Sequence, residues 1–289
     1  MDETDRVVED ERVTVVVASR DRRQDLLATL GRHRAPVVLV DNGSTDGTVQ
    51  AVRAAHPDVD VVEVGRNLAA AARNVGVLRA LTPFVAFADD DSWWAPGSLR
   101  AAAELLAACP DVAVVQVDVL VGPQERRDPF CDVLARSPLT HGRGGRPGIP
   151  VLGFMACAAM VRRDDFLAAG GFDDVVRFPG EEERLSWDLA AGGRALVYLP
   201  GPTVHHHPST RRHDPAARRR RVSRSRVLSG VLRLPARDAW DRVRGEWHAG
   251  AARRRGVLDA LPDLPRAVAS RRRLPGRVLA DIALLERAG

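Results

Sequence analysis

From Val13 onward, short runs of β-branched residues alternate with Ala- and Leu-rich segments of helical period. Val13–Ala18 is a continuous apolar run, which predicts a strand covered on both faces. Asp21–Leu30 predicts a helix stopped at Gly31. Val37–Val40 predicts a second strand, followed by the polar loop Asp41–Gly47 and a helix over Thr48–Ala55. Val59–Val64 is a third strand, Leu68–Leu81 a helix and Phe84–Ala88 a fourth strand. Pro96–Ala108 is a helix with proline at its start, and Val112–Val117 a fifth strand. Strands alternating with helices of this length imply βαβ units, an α/β fold and a mostly parallel sheet with helices on both faces.

Residues 120–150 lose this periodicity and read as a long connection, of the kind that is functional or mobile. Order resumes over Leu152–Arg162. A short helix follows from Asp164 to Gly170, and another from Gly180 to Gly192. Ala195–Leu199 is a further strand, with His205, His206 and His207 beyond it. From Arg211 the pattern is Arg-rich and helical, broken by Pro235, Pro262, Pro265 and Pro275.

Composition sharpens this division. The 289 residues are 45% hydrophobic, which excludes disorder throughout. All 43 basic residues are Arg and none is Lys, a bias that a GC-rich coding sequence explains without any role for each Arg. The net charge of +5 hides a difference: residues 1–210 carry −8 and residues 211–289 carry +13. Three units are expected: a disordered N-terminus over 1–11, an α/β domain over 12–210 and an Arg-rich helical extension over 211–289. The three cysteines are scattered with no CxxC pair, which argues against a zinc site or a disulfide framework and fits a reducing cytosol. Met1–Glu11 is acidic and lacks the apolar core of a signal peptide. No uncharged run reaches the roughly 18–20 residues that span a bilayer. A cytoplasmic protein, peripheral on the inner face of the membrane at most, is expected.

Ligands of open parallel α/β sheets bind beyond the carboxyl ends of the strands. Ser19-Arg20, Asp41-Asn42, Arg66-Asn67 and Asp89-Asp90-Asp91 all fall at such ends. Three adjacent carboxylates repel one another, a cost offset if they hold a hard divalent cation. In extended backbone Asp89 and Asp91 point to one side and can share an ion. Otherwise the triplet is a solvated loop capping the next helix. Glu181, Glu182 and Glu183 open a helix, where the dipole favours acids by about 0.3–1 kcal/mol each; a carboxylate there can also act as a general base. The three histidines read as metal ligands or as a polar loop. Trp93 and Trp94, with the long loop, read as a sugar or acceptor platform or as packing.

Taken together and in order, these segments resemble the family 2 glycosyltransferases of the GT-A fold over roughly residues 12–210. The matching text is Val13–Arg20, Val40–Thr48, Asn67–Gly76 and Phe87–Asp91. It continues through Met160–Phe166, Gly170–Asp173, Gly180–Glu183 with Trp187, and the strand ending at Pro200 with the histidines after it. The resemblance implies inverting transfer of a sugar from a nucleoside-diphosphate sugar to a hydroxyl acceptor, of a cell-envelope glycan, a lipid carrier or a natural product. It places the nucleotide on Ser19, Asp41, Asn42 or Ser44, Arg73, Asn74 and Asp90. It implies Mn²⁺ or Mg²⁺ on Asp89 and Asp91, with His206 as the third ligand and His205 as its near alternative. It implies a base at Glu182, with Glu181 and Glu183 as alternatives, because the family usually has Glu-Asp where this chain has Glu throughout. Ala18-Ser19-Arg20-Asp21 also departs from the family's usual Pro-Thr-Tyr-Asn. The Asp41-Asn42 form leans towards UDP- or dTDP-linked donors.

Two other classes compete. A sugar nucleotidyltransferase would need a Gly-rich basic loop near the first strand, and Ala18–Asp25 lacks the glycines. An anionic-polymer binder is suggested by the tail, but the acidic body opposes phosphate and no nucleic acid is expected as a partner. The apolar residues of the tail recur at helical spacing among its arginines, which suits either an amphipathic surface on anionic membrane or an appendage packed on the body.

Overall fold

In the computed structural model, the structure describes residues 7–140, 147–208 and 214–288. The apolar runs become strands: β1 (Val13–Ser19), β2 (Val37–Asp41), β3 (Asp60–Glu63) and β4 (Phe84–Ala88). β2 and β4 are buried at every position, as continuous apolar strands require. They join in parallel, with Val15 opposite Val37, Val13 opposite Phe84 and Val38 opposite Asp60. Between them run α1 (Arg23–Thr29), α2 (Thr48–Ala55) and α3 (Ala72–Arg79). α3 lies tight on β1 because Gly76 has no side chain; a Cβ there would run into Val16 Cγ1 and lie 3.1 Å from Val40.

β5 (Ser92–Trp94) follows the acidic triplet, then α4 (Ser98–Ala108) and β6 (Val112–Val121). The helix expected from Pro96 starts two residues later, after Gly97 at φ +83°. The connection at 120–150 is more ordered than its composition suggests. β6 runs to Val121, β7 (Arg126–Arg127) pairs back on it, α5 (Pro129–Ala135) follows behind an Asp128 cap, and β8 (Ile149–Pro150) joins the sheet. Residues 141–146 of that connection lie outside the described residues. β9 (Ala159–Arg162), α6 (Arg163–Ala168), α7 (Glu181–Ala191) and β10 (Ala195–His206) complete the body. β10 is more than twice as long as the apolar run Ala195–Leu199. It breaks register across Pro200–Pro202 and then resumes pairing, so His205 and His206 lie within the strand instead of beyond it.

Among the described residues the sheet has ten strands, in the order β3-β2-β1-β4-β9-β6-β10-β5, with β7 and β8 at its side. β9 is antiparallel to both β4 and β6, and β5 is antiparallel to β10, so the sheet is mixed. β5 was hidden in the sequence because three residues carry no period.

The described part of the extension is built of helices joined by short connections: α8 (Pro215–Arg233), α9 (Ala236–His248), α10 (Ala251–Ala260), α11 (Leu264–Ala269) and α12 (Gly276–Ala288). It packs on the body through two apolar clusters. Trp187, Leu139 and Leu152 meet Leu234, Ala239, Leu274, Val278 and Ile282. Val175 and Val176 meet Val227, Leu228, Leu232 and Val257. Ion pairs reinforce the contact: Arg233 Nε lies 2.5 Å from Asp188, and Arg242 Nη1 lies 2.8 Å from Glu183. At the other terminus, residues 1–6 of the expected disordered segment lie outside the described residues. Residues 7–11 are tied down instead: Glu9 N donates to Arg34 O at 2.9 Å, and Gly97 N donates to Glu9 Oε1 at 2.8 Å.

Candidate active site

The carboxyl ends of β1, β2 and β4 are neighbours in the sheet, so Ser19, Asp41 and the triplet Asp89–Asp91 come together. A cleft of about 380 Å³ opens there, lined by Ser19, Arg20, Asn42, Asn67, Arg73, Asp89 and Asp90 among others.

The triplet divides by orientation. Asp90 turns inward and is nearly fully buried: Ser19 Oγ donates to its Oδ2 at 2.8 Å and Arg22 Nε to its Oδ1 at 3.3 Å. Asp89 and Asp91 turn to the histidine instead; the triplet does so through a turn, with Ser92 N donating to Asp89 O at 3.2 Å, and not through the extended backbone expected from sequence. Their carboxylates meet the imidazole of His206, and one ligand atom from each of the three lies within 4.8 Å of the others. The second half of β10 makes this possible, because its pairing with β5 sets His206 opposite Ser92. His206 Nε2 lies 3.3 Å from Asp91 Oδ1. Burial disfavours the charged imidazole, but Asp91 and Asp89 outweigh it and raise the pKa of His206. His205 and His207 fall on the opposite side of the strand, where Trp93 stacks on His205 and meets His207 edge-on. Of the three histidines only His206 joins this acidic cluster. Arg32 lies 4.3 Å from the Trp93 ring, and buried Trp94 donates from Nε1 to Phe87 O at 3.0 Å, so both tryptophans are taken up in packing.

Arg73, on the first turn of α3, is buried and links two acids. Its Nη2 donates to Asp89 Oδ1 at 2.6 Å, and its Nη1 lies 3.5 Å from Glu181 Oε1. The three glutamates at the start of α7 have different surroundings. Glu181 is 0% exposed, and its pKa is pushed up to about 8 by burial, with Glu182 adding to the shift and Arg73 opposing it. Glu183 is held by Arg242 of the extension. Glu182 is half-buried and accepts a long bond from Ala156 N, at 3.4 Å. Burial raises its pKa as well.

Two expected nucleotide contacts are engaged elsewhere. The Asn74 amide is spent on Phe172, donating to its carbonyl and accepting from its N–H, each at 2.9 Å. Asn42 lines the cleft, but its amide holds the next loop, accepting from Leu68 N at 2.6 Å and donating to Ala69 O at 3.1 Å. A backbone clamp satisfies both ends of each amide, which a one-dimensional motif does not reveal. Asp41 accepts from the N–H groups of Gly43 and Ser44 through Oδ2, while its buried Oδ1 has no hydrogen bond among the described residues. Sequence reasoning missed Arg22, which lies against both Asp90 and Asp91, and missed Phe178 and Arg221, which line the cleft. No periodic or motif signal marks these three.

The family model for glycosyl transferase family 2 matches residues 14–168, more than half of the chain. The chain belongs to glycosyl transferase family 2. A pre-mycofactocin glycosyltransferase of Mycobacterium tuberculosis is 31% identical over 218 residues, covering 72% of this chain and 45% of the relative. An N-acetylglucosaminyl-diphospho-decaprenol L-rhamnosyltransferase of the same organism is 29% identical over 219 residues, covering 63% of this chain and 69% of the relative. This family 2 chain therefore spans less than half the length of the first of these relatives. Among solved structures, a mannosyltransferase from Pyrobaculum calidifontis, in complex with GDP-Man and Mn²⁺, superposes with a TM-score of 0.58. The match is at 22% identity and covers 99% of this chain and 79% of that one. The GT-A-type fold expected from the motifs thus holds for this chain. Among its described residues, no helix is long and apolar enough to cross a membrane.

Proposed function

We propose that this family 2 chain transfers a sugar from a nucleoside-diphosphate sugar, UDP- or dTDP-linked, to a hydroxyl acceptor with inversion at the anomeric carbon. The observation that carries this reading is the convergence of Asp89, Asp91 and His206 beside a cleft that Asp89 itself lines. Two carboxylates and one imidazole form a donor set suited to Mn²⁺ or Mg²⁺. An ion held there supplies charge neutralisation for the departing diphosphate.

The chain's own residues supply the rest. Arg73 fixes Asp89 in place and offsets part of the acid charge. Asp41 Oδ1, buried and without a hydrogen bond among the described residues, is the acceptor assigned here to an N–H of the nucleotide base. Glu182 is the general base that takes the proton from the acceptor hydroxyl as it attacks the anomeric carbon. Its raised pKa brings its basicity closer to neutral pH, where proton transfer is most effective. Glu183 is held by the extension and Glu181 is sealed beneath Arg73, which leaves Glu182 for the substrate. The transition state is oxocarbenium-like, and a single displacement inverts the configuration.

The acceptor is proposed to lie at an anionic membrane. Along α9, Arg237, Trp240, Arg244 and Trp247 fall on one exposed face, with Trp240 66% exposed. Arg254 lies 5.3 Å over the Trp247 ring, and Leu258 and Leu261, four and seven residues further on, are exposed. Exposed aromatics interleaved with arginines suit the headgroup region of a bilayer.

Nucleoside-diphosphate release from the sugar nucleotide tests the base. Glu182→Gln is expected to lower turnover by about 10²-fold or more with nucleotide affinity intact. Near wild-type turnover in that variant would sink the assignment.

A further inference from the structure

The cleft is not built from the family-matched segment alone. Phe178 and Arg221 line it from beyond residue 168, and Arg221 comes from α8 of the C-terminal extension. Three other arginines of that helix are committed. Arg220 grips Asp259 at 2.5 and 2.6 Å, Arg224 meets Asp263 at 2.5 Å, and Arg226 lies 3.1 Å from Glu246. Arg221 makes no side-chain hydrogen bond or ion pair among the described residues. Its place is nevertheless fixed. One turn further along α8, Ser225 Oγ donates to Arg177 O at 2.8 Å, and the Ser225 side chain packs against Gly180. That anchors α8 to the segment that carries Phe178 and leads into α7.

The other cations of the cleft are engaged. Arg73 is shared between Asp89 and Glu181, and Arg20 lies 3.4 Å from Asp21. The chain has no Lys. A diphosphate entering here meets Asp89 and Asp90 on one wall, and with an ion on that wall offsetting part of its charge, Arg221 is the cleft arginine left to meet its remaining oxygens. Guanidinium is the group best shaped for that, since its planar fork pairs with phosphate oxygens two at a time. We propose that Arg221 binds the diphosphate of the sugar nucleotide, so that the C-terminal extension supplies a donor-binding residue to the active cleft. This rests on the sugar-nucleotide reading above.

Titration calorimetry on the full chain with UDP, dTDP and GDP, each with Mn²⁺, tests it. Wild type is expected to bind at least one of the three. Arg221→Ala is expected to weaken that ligand about tenfold or more, the effect of losing a charged hydrogen bond. Arg221→Lys is expected to recover part of the loss. Arg218→Ala, on the same helix but off the cleft, is expected to leave affinity unchanged. Without nucleotide, Arg221→Ala is expected to melt as wild type does, because the side chain is exposed. An Arg221→Ala chain that binds within twofold of wild type overturns this proposal and leaves the donor reading standing. An equal loss in Arg218→Ala also overturns it, since the general field of the helix would then be the cause. Wild type that binds none of the three overturns the donor reading and this proposal with it.

Discussion

Arg73 Nη2 donates to Asp89 Oδ1 at 2.6 Å while the other end of the same guanidinium lies 3.5 Å from buried Glu181. One side chain therefore steadies a carboxylate of the acidic cluster and a buried carboxyl at the start of α7. Removing it leaves both acids without their shared partner. Arg73→Ala is expected to lose about 3–5 kcal/mol of stability, the usual cost of breaking a buried pair from one side. Urea unfolding measures it; a loss below about 1 kcal/mol would mean that the acids find other partners.

Glu181 gives stability a definite pH slope. Its pKa rises from an ordinary 4.5 to about 8 in the folded chain. Between those values the folded state holds a proton that the unfolded state has released, so stability falls as pH rises through this window. Glu181→Gln mimics the protonated form and is expected to flatten the slope between pH 5 and pH 8. Calorimetric melting at the two pH values checks this, and an unchanged slope would place the titration elsewhere.

Gly76 sets the distance between α3 and β1. Gly76→Val drives methyl groups into Val16 and Val40 and is expected to cost at least about 1–3 kcal/mol, as overpacking does. Because α3 carries Arg73, nucleotide affinity is expected to fall with it. Wild-type melting in this variant would contradict the close packing.

The exposed face of α9 and α10 predicts lipid binding that depends on headgroup charge. The full chain is expected to sediment with vesicles rich in phosphatidylglycerol and not with phosphatidylcholine alone. Trp240→Ala with Trp247→Ala is expected to reduce sedimentation severalfold, since aromatic burial at the interface is lost. Equal sedimentation with both lipids, or no effect of the double substitution, would remove the membrane from the account.

The parts of this fold legible in sequence are those with a long period. β1, β2 and β4 are unbroken apolar runs, and α2 matches its reading residue for residue. β5 escaped because its three residues follow an acidic loop and are recognised only by pairing with β10. β10 was cut short because Pro200-Gly201-Pro202 reads as a stop, whereas the sheet absorbs it as an irregularity and carries on. Within the site, Asp89, Asp91 and His206 were legible because motif spacing encodes strand ends. The clamp of Asn74 on Phe172 was not legible, because which way a helical amide turns is decided by a residue distant in sequence. Arg221 was invisible for the same reason: docking of α8 on the body brings it to the cleft.

A divalent cation and a nucleoside diphosphate are proposed to meet at Asp89, Asp91 and His206. The most direct test is a thermal-melting panel of the full chain with UDP, dTDP and their sugar conjugates, with Mn²⁺ or with chelator, in wild type and Asp91→Asn. Binding to the native state raises the melting temperature. At least one of these nucleotides is expected to raise it only when Mn²⁺ is present, and Asp91→Asn is expected to abolish the rise. A rise that survives both chelator and Asp91→Asn, or no rise with any of them, would contradict this expectation.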